Sequence, residues 1–121
     1  IETFREISGP AFDEAKMREM ATASVERSFR PVGTGRQTAA IMARGDRTEQ
    51  LARLDLPTLV VHGLLDPLVR PTGGIATAAA VPGSRLLMYN DMAHDLPRTR
   101  WAEMADSIAH NAARAVVTAT A

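Results

Sequence analysis

Two residues of this chain, Asp66 and His94, have side chains that can work together in proton transfer. A carboxylate that accepts a hydrogen bond from one imidazole nitrogen fixes the tautomer of the ring, and the other nitrogen is then free to take up a proton near neutral pH. Such a base is one of the groups that can activate a nucleophilic side chain. The two residues are far apart in the sequence, so the elements that carry them must bring them together.

The segments that precede the two residues have the character of strands. Residues 58–61 form a short continuous run of β-branched and aliphatic side chains, which is typical of a strand buried in a parallel sheet, and residues 85–89 form a second apolar run. The Ala-rich stretch 72–81 between them predicts a helix. In such a βαβ unit both strands end at the same sheet edge. We therefore expect the acid and the histidine, on the loops after the strands, to lie within hydrogen-bond reach.

Three segments carry a pattern that resembles a known enzyme superfamily: LVVHGLLDPLV at 59–69, VPGSR at 81–85 and DMAHDLP at 91–97. They look like the α/β-hydrolase superfamily, in which an acid follows a strand in an H-G-x-x-D-x-x-V segment and a histidine follows the last strand in a G-M-G-H-like loop. The resemblance implies that Asp66 is the catalytic acid and His94 the base, in the order that the family follows. Ala93 departs from the pattern, because a glycine is common there.

The resemblance also implies an α/β fold in two segments. Residues 1–54 resemble the helical cap that many family members insert before these strands, and residues 55–121 resemble the C-terminal strands and helices of the core, with two parallel strands in a β-α-β-α order. Bacterial esterases that bear such a cap have a similar C-terminal portion. We expect the cap helices to line an apolar pocket with the side chains of Met17, Met20, Phe29, Ile41 and Met42.

Helix boundaries follow from capping residues and breakers. An amphipathic helix is expected to begin near Asp13, and a second to run from Thr34 as its N-cap to Gly45, a residue suited to a left-handed C-terminal position. A short third helix is expected to open at Asp46, in a capping-box arrangement. A last helix is expected to begin at Pro97 and to bury one apolar stripe, which consists of Trp101, Met104, Ala105, Ile108, Ala109 and Ala112.

The chain lacks a recognisable serine nucleophile. None of its serines has glycines both two residues before and two residues after it, and Ser84, which follows a glycine, starts a strand. Two parallel strands are also too few for a sheet that buries both faces. We therefore expect the nucleophile on an N-terminal portion of the same protein or on a second chain, and we expect these 121 residues to be inactive alone.

The resulting hypothesis is a carboxylic-ester hydrolase acting on a small or medium apolar ester. His94 would take the proton of the serine, and Asp66 would hold the imidazole and stabilise its cation. Two other interpretations stay open. An aspartate nucleophile would make the protein an epoxide hydrolase or a haloalkane dehalogenase with the same histidine, and the chain alone could be a non-catalytic fragment that scaffolds or binds.

Several residues near the pair have competing interpretations. Asp91 and Asp95 flank His94 and are alternative partners for its ring. An Asp-Pro turn is the structural alternative for Asp66, and a simple hydrogen-bonding role is the alternative for the histidine. His62 ends a strand beside a glycine, and we expect it to be structural. A metal site made of the two histidines and the acid lacks H-x-x-x-H spacing, so we expect no metal and no cofactor.

Composition argues against several partners. The chain has 14 basic and 14 acidic residues and no cysteine. Zero net charge offers nucleic acid and anionic membranes no electrostatic attraction, and no window approaches the ~20 apolar residues of a membrane span. Without cysteine there is no disulfide and no thiolate zinc site. The chain begins with Ile1 and not with Met, so we expect a missing upstream portion. We also expect a cytoplasmic location.

Overall fold

A computed structural model describes residues 1–118, which form helices and a two-stranded parallel sheet. The N-terminal half contains α1 (Glu2–Glu6), α2 (Glu14–Arg27), α3 (Pro31–Ala43) and α4 (Thr48–Leu51). The second half contains β1 (Leu59–Gly63), α5 (Pro71–Ala80), β2 (Arg85–Tyr89), a 3₁₀ turn (Arg98–Arg100) and α6 (Trp101–Thr118). The last residues of the predicted core segment, 119–121, lie outside the described residues.

The strand, helix and strand predicted for the second half are present. β1 and β2 pair in parallel, with Leu59 opposite Arg85 and Gly63 opposite Tyr89, and α5 packs against both strands. β1 extends two residues beyond the predicted end at Val61, because pairing with β2 continues after the β-branched run stops. The carboxyl ends of both strands therefore lie side by side, and the loops that follow them start at one edge of the sheet.

A glycine at the end of β1 sets the separation of those two loops. A Cβ atom on Gly63 would lie 2.2 Å from the carbonyl oxygen of Met92 and 2.5 Å from that of Ala93. No side chain fits there, so the loop after β2 crosses the end of β1 in direct backbone contact. Leu64 N–H then donates to the Tyr89 carbonyl at 2.8 Å, which ties the two loops together where they begin.

The core lies beneath this edge of the sheet. Its buried members are Tyr89, Met92 and Met104, and Val61 and Leu87 pack partly against them. Residues from β1, from β2, from the loop after β2 and from α6 thus contact one another. Their burial holds the elements that carry the two loops in fixed relative positions.

The last helix differs from its prediction in start and orientation. α6 begins at Trp101, after a 3₁₀ turn, and not at Pro97. Met104 is buried, but Trp101 and Ile108 of the predicted stripe are 48% and 59% exposed. The packed side instead includes Met104 and Asn111, which are two turns apart, and the side-chain amide of Asn111 donates to the Pro57 carbonyl at 2.8 Å. Part of the predicted apolar stripe therefore faces away from the core.

Two of the predicted helix starts in the N-terminal half are wrong. Asp13 caps α2 as expected, its carboxylate accepting from a backbone N–H three residues on at 3.0 Å. Thr34 is not an N-cap, because α3 begins earlier, at Pro31, a residue favoured in the first turn since it has no N–H to satisfy. Asp46 accepts from the N–H of Thr48, where α4 begins, so this helix starts two residues later than predicted.

No helix within residues 1–118 is long and apolar enough to cross a membrane. The longest, α6, carries charged and amide side chains along its length.

Candidate functional site

The structure joins the two residues singled out by the sequence. Asp66 lies on the loop after β1 and His94 on the loop after β2, and the Nδ1 atom of His94 is 2.8 Å from the Oδ2 atom of Asp66. An ionised carboxylate only accepts hydrogen bonds, so Nδ1 carries the proton and donates it. In the neutral ring Nε2 is then unprotonated and able to accept. The predicted hydrogen bond is present, in the geometry that leaves a basic nitrogen available.

Both carboxylate oxygens of Asp66 accept hydrogen bonds. The residue is only 8% exposed, and its Oδ1 atom accepts from the backbone N–H groups of Leu68 at 2.9 Å and Val69 at 2.8 Å. Burial is the largest influence on the pKa of Asp66 and acts to raise it, but the hydrogen bonds from Val69, His94 and Leu68 together outweigh burial. The pKa of Asp66 therefore lies below its ordinary value, and the group is a stable anion that faces the imidazole.

The two other carboxylates near the histidine have different partners. Asp91 accepts from the guanidinium of Arg100, with Nη2 at 2.8 Å and Nε at 3.1 Å, and this hydrogen bonding lowers the pKa of Asp91 against the effect of desolvation. Asp95 Oδ1 accepts from the backbone N–H groups of Gly9 at 3.0 Å and Ala93 at 3.1 Å. Within the described residues neither carboxylate is hydrogen-bonded to the imidazole, so the acid after β1 is its partner.

The N-terminal segment fixes the histidine loop. The backbone N–H of His94 donates to the carbonyl of Ile7 at 2.8 Å, and the Asp95 carboxylate bridges this segment and the loop. A Cβ atom on Gly9 would lie 2.8 Å from the Asp91 carbonyl oxygen, so the two backbones are in direct contact. The sequence did not predict this contact between the N-terminal segment and the histidine loop. The residue that permits it is Gly9, and in the sequence a glycine at this place only indicates a break between helices.

An apolar cavity of about 440 Å³ opens beside the imidazole. It lies between the first two helices and the histidine loop, and His94 forms part of its wall. The predicted contribution of the N-terminal helices is thus present in part. Besides His94, its apolar walls include Phe4, Ile7, Phe12, Met17, Met20, Leu96 and Trp101.

Three residues predicted to line this pocket lie elsewhere. Phe29, Ile41 and Met42 do not contribute to the cavity and are 73%, 66% and 81% exposed. Phe29 lies between α2 and α3, and Ile41 and Met42 belong to α3, which is exposed along its whole length in the described chain. The prediction was therefore correct for the two methionines of α2 and wrong for Phe29 and for the two residues of α3.

The remaining candidates are separated from the pair or paired with other groups. Ser84 lies at the amino end of β2, opposite the histidine loop, and its hydroxyl donates to the Ala78 carbonyl at 2.7 Å. His62 is close to the acid but 3.8 Å from its Oδ2 atom, which is longer than a hydrogen bond. His110, the third histidine of the chain and expected from the sequence to be a solvated helix residue, is exposed on α6. Among residues 1–118 no group of three or more histidines and carboxylates is arranged to hold a metal ion.

With its own side chains the arrangement can therefore carry out proton transfer. Its imidazole, hydrogen-bonded to a buried carboxylate, has a second nitrogen that can accept a proton, and His94 forms part of the wall of an apolar cavity. Comparison with protein-family models and with curated proteins finds no match to this chain.

Proposed function

We propose that this chain is the C-terminal part of an α/β-hydrolase that hydrolyses carboxylic esters of small or medium apolar substrates. Asp66 is the acid of its catalytic triad and His94 the base. The observation that carries the proposal is the 2.8 Å hydrogen bond between them, at the carboxyl ends of adjacent parallel strands, where α/β sheets bind their ligands. The sequence pattern around both residues supports the same assignment.

The reaction would proceed through an acyl-enzyme. His94 Nε2 takes the proton of a serine hydroxyl as the serine oxygen attacks the ester carbonyl, and the imidazolium then gives that proton to the leaving alcohol. In the second half the same nitrogen takes a proton from water as the water attacks the acyl group, and the imidazolium then gives that proton to the serine oxygen as the acid product is released. Asp66 holds the ring in the Nδ1–H tautomer and stabilises its positive charge. The serine is supplied by an N-terminal portion of the protein or by a second chain.

The cavity beside His94 supports the choice of substrate. Most of the residues in its wall are apolar, among them three aromatic residues and two methionines, and its volume of about 440 Å³ falls in the range of small-molecule sites. An apolar acyl or alcohol group placed there would have its ester carbonyl near the imidazole. The wall formed by α1 and α2 fits the assignment of residues 1–54 as a cap over the site.

The test is ester hydrolysis by this chain together with the polypeptide that supplies the nucleophile, measured with p-nitrophenyl esters of increasing acyl length. His94→Ala should lower kcat/KM by on the order of 10⁴-fold or more. His110→Ala is the matched control, because it removes an exposed imidazole far from the pair, and it should leave the rate unchanged. Full activity in His94→Ala would overturn the proposal. So would an enzyme that converts haloalkanes or epoxides and resists serine-directed reagents, because its nucleophile would be an aspartate.

A further inference from the structure

His62, a histidine that the proposed reaction does not use, lies near the end of β1 and hydrogen-bonds to the loop that carries the acid. The side chain of His62 is 11% exposed, and its Nε2 atom is 2.9 Å from the carbonyl oxygen of Val69. A carbonyl oxygen only accepts, so Nε2 carries the proton and donates it. This hydrogen bond ties the end of β1 to the far side of the loop that carries Asp66.

The same loop residue is also held by the acid itself. Val69 donates its N–H to Asp66 Oδ1 at 2.8 Å, while its carbonyl accepts from His62. The contacts to Oδ1 leave Oδ2 for the imidazole of His94, at 2.8 Å. The His62 ring does not compete for that oxygen, because its Nε2 atom is 3.8 Å away.

We propose that His62 is a positioning residue for the acid of the pair. By fixing the Val69 peptide, it keeps that N–H on Oδ1 and so keeps Oδ2 directed at His94. The catalytic consequence rests on the proposed function, whereas the effect on the hydrogen bond between the acid and His94 can be measured without any reaction.

The ring of His62 packs directly against Gly74 of α5. A Cβ atom at this position would lie 2.8 Å from Nδ1 and 2.9 Å from Cγ of the ring, so an alanine here must displace the imidazole without removing its hydrogen-bonding groups. Gly73 lies next to it in the same helix, and a Cβ atom there meets only a Val69 methyl carbon at an ordinary 3.4 Å. Gly74→Ala and Gly73→Ala gain the same helix propensity, and only the first disturbs the ring.

The experiment measures the tautomer of His94 by ¹⁵N NMR of the imidazole nitrogens, in the wild-type chain and in variants. His62→Phe keeps a ring without the donor, and His62→Gln keeps a donor without the ring. We expect the proton of His94 to stay on Nδ1 in the wild type, in His62→Gln and in Gly73→Ala. In His62→Phe and Gly74→Ala we expect this preference to weaken, with the two nitrogens becoming more alike. An unchanged His94 tautomer in both of these variants would overturn the inference.

Kinetics of the complete enzyme give a second readout. His62→Phe should lower kcat by about 10- to 100-fold with KM nearly unchanged, and His62→Gln should restore most of the loss. A rise in KM alone, or an equal loss in His62→Gln, would contradict positioning through the donor. If the His94 tautomer responds as expected but the wild type hydrolyses no ester, the positioning role stands and the proposed function fails.

Discussion

Replacing Asp66 by asparagine changes one atom of the site and should separate catalysis from stability. The amide oxygen of asparagine can keep accepting from the N–H groups of Leu68 and Val69, which now bind Oδ1. The amide nitrogen takes the place of Oδ2 and only donates, so it cannot accept from Nδ1 of His94. We expect the imidazole to move its proton to Nε2 and to accept from the amide at Nδ1. The nitrogen that should accept the serine proton is then blocked.

The two effects of this substitution differ greatly in size. The folded chain loses one charge-assisted hydrogen bond, worth ~1.5–3 kcal/mol, and gains a neutral one of ~1 kcal/mol, so the free energy of unfolding should fall by only about 1 kcal/mol. The wrong tautomer should lower kcat on the order of 10⁴-fold, as the same change does in serine proteases. That loss corresponds to about 5.5 kcal/mol in the activation barrier. Activity should therefore collapse in a variant that remains folded.

Two measurements on the same preparation test this expectation. Urea unfolding followed by circular dichroism gives the change in stability, and ester hydrolysis by the complete enzyme gives kcat and KM. Asp55→Asn is a suitable control, because it makes the same chemical change at an exposed carboxylate before β1. Turnover within tenfold of the wild type in Asp66→Asn would refute the role of the tautomer. A loss of turnover matched by unfolding would refute the separation of the two effects.

Three further predictions concern the surroundings of the pair. The free energy of unfolding of the wild type should exceed that of Asp66→Asn by a constant amount above about pH 5, and the difference should shrink as the pH falls below about 4. The reason is that the pKa of Asp66 is lower in the folded chain than in the unfolded one, so a difference that grows in acid would contradict this account. Gly63→Ala should lower the unfolding free energy by about 3 kcal/mol or more, because its Cβ would collide with the Met92 carbonyl, and a loss under about 0.5 kcal/mol in urea would argue against that contact. Asp95→Ala should cost about 1–2 kcal/mol and speed amide hydrogen exchange at Gly9, and unchanged exchange would exclude the bridge.

The hydrogen bond between Asp66 and His94 could be predicted because it depends on topology. Two apolar runs separated by a helical stretch imply parallel strands whose carboxyl ends meet, and residues placed just after those ends must be close. The carboxylate and the imidazole at those positions then indicated proton transfer. Neither step needs details of packing, which is why a single sequence was sufficient for this part of the site.

Contacts that use the backbone were harder to predict. The partners of His62 and of the His94 N–H are the carbonyls of Val69 and Ile7, and every residue has a carbonyl, so no residue type marks them. The orientation of α6 was missed for a related reason, because Asn111 on its packed side donates to the carbonyl of Pro57, which no residue type marks. The exposure of α3 follows from its position relative to the other helices, which periodicity along one helix does not encode.

The pair of Asp66 and His94 is proposed to serve a serine that lies outside these 121 residues, and the position of a serine-directed label tests this most directly. The complete enzyme is treated with a fluorophosphonate, and the adduct is located by peptide mapping. We predict an adduct on a serine outside this chain, formed much more slowly in His94→Ala and Asp66→Asn, and no labelling of the 121-residue chain alone. An adduct on Ser84 or on another serine of this chain, or labelling at the same rate without His94, would contradict the assignment.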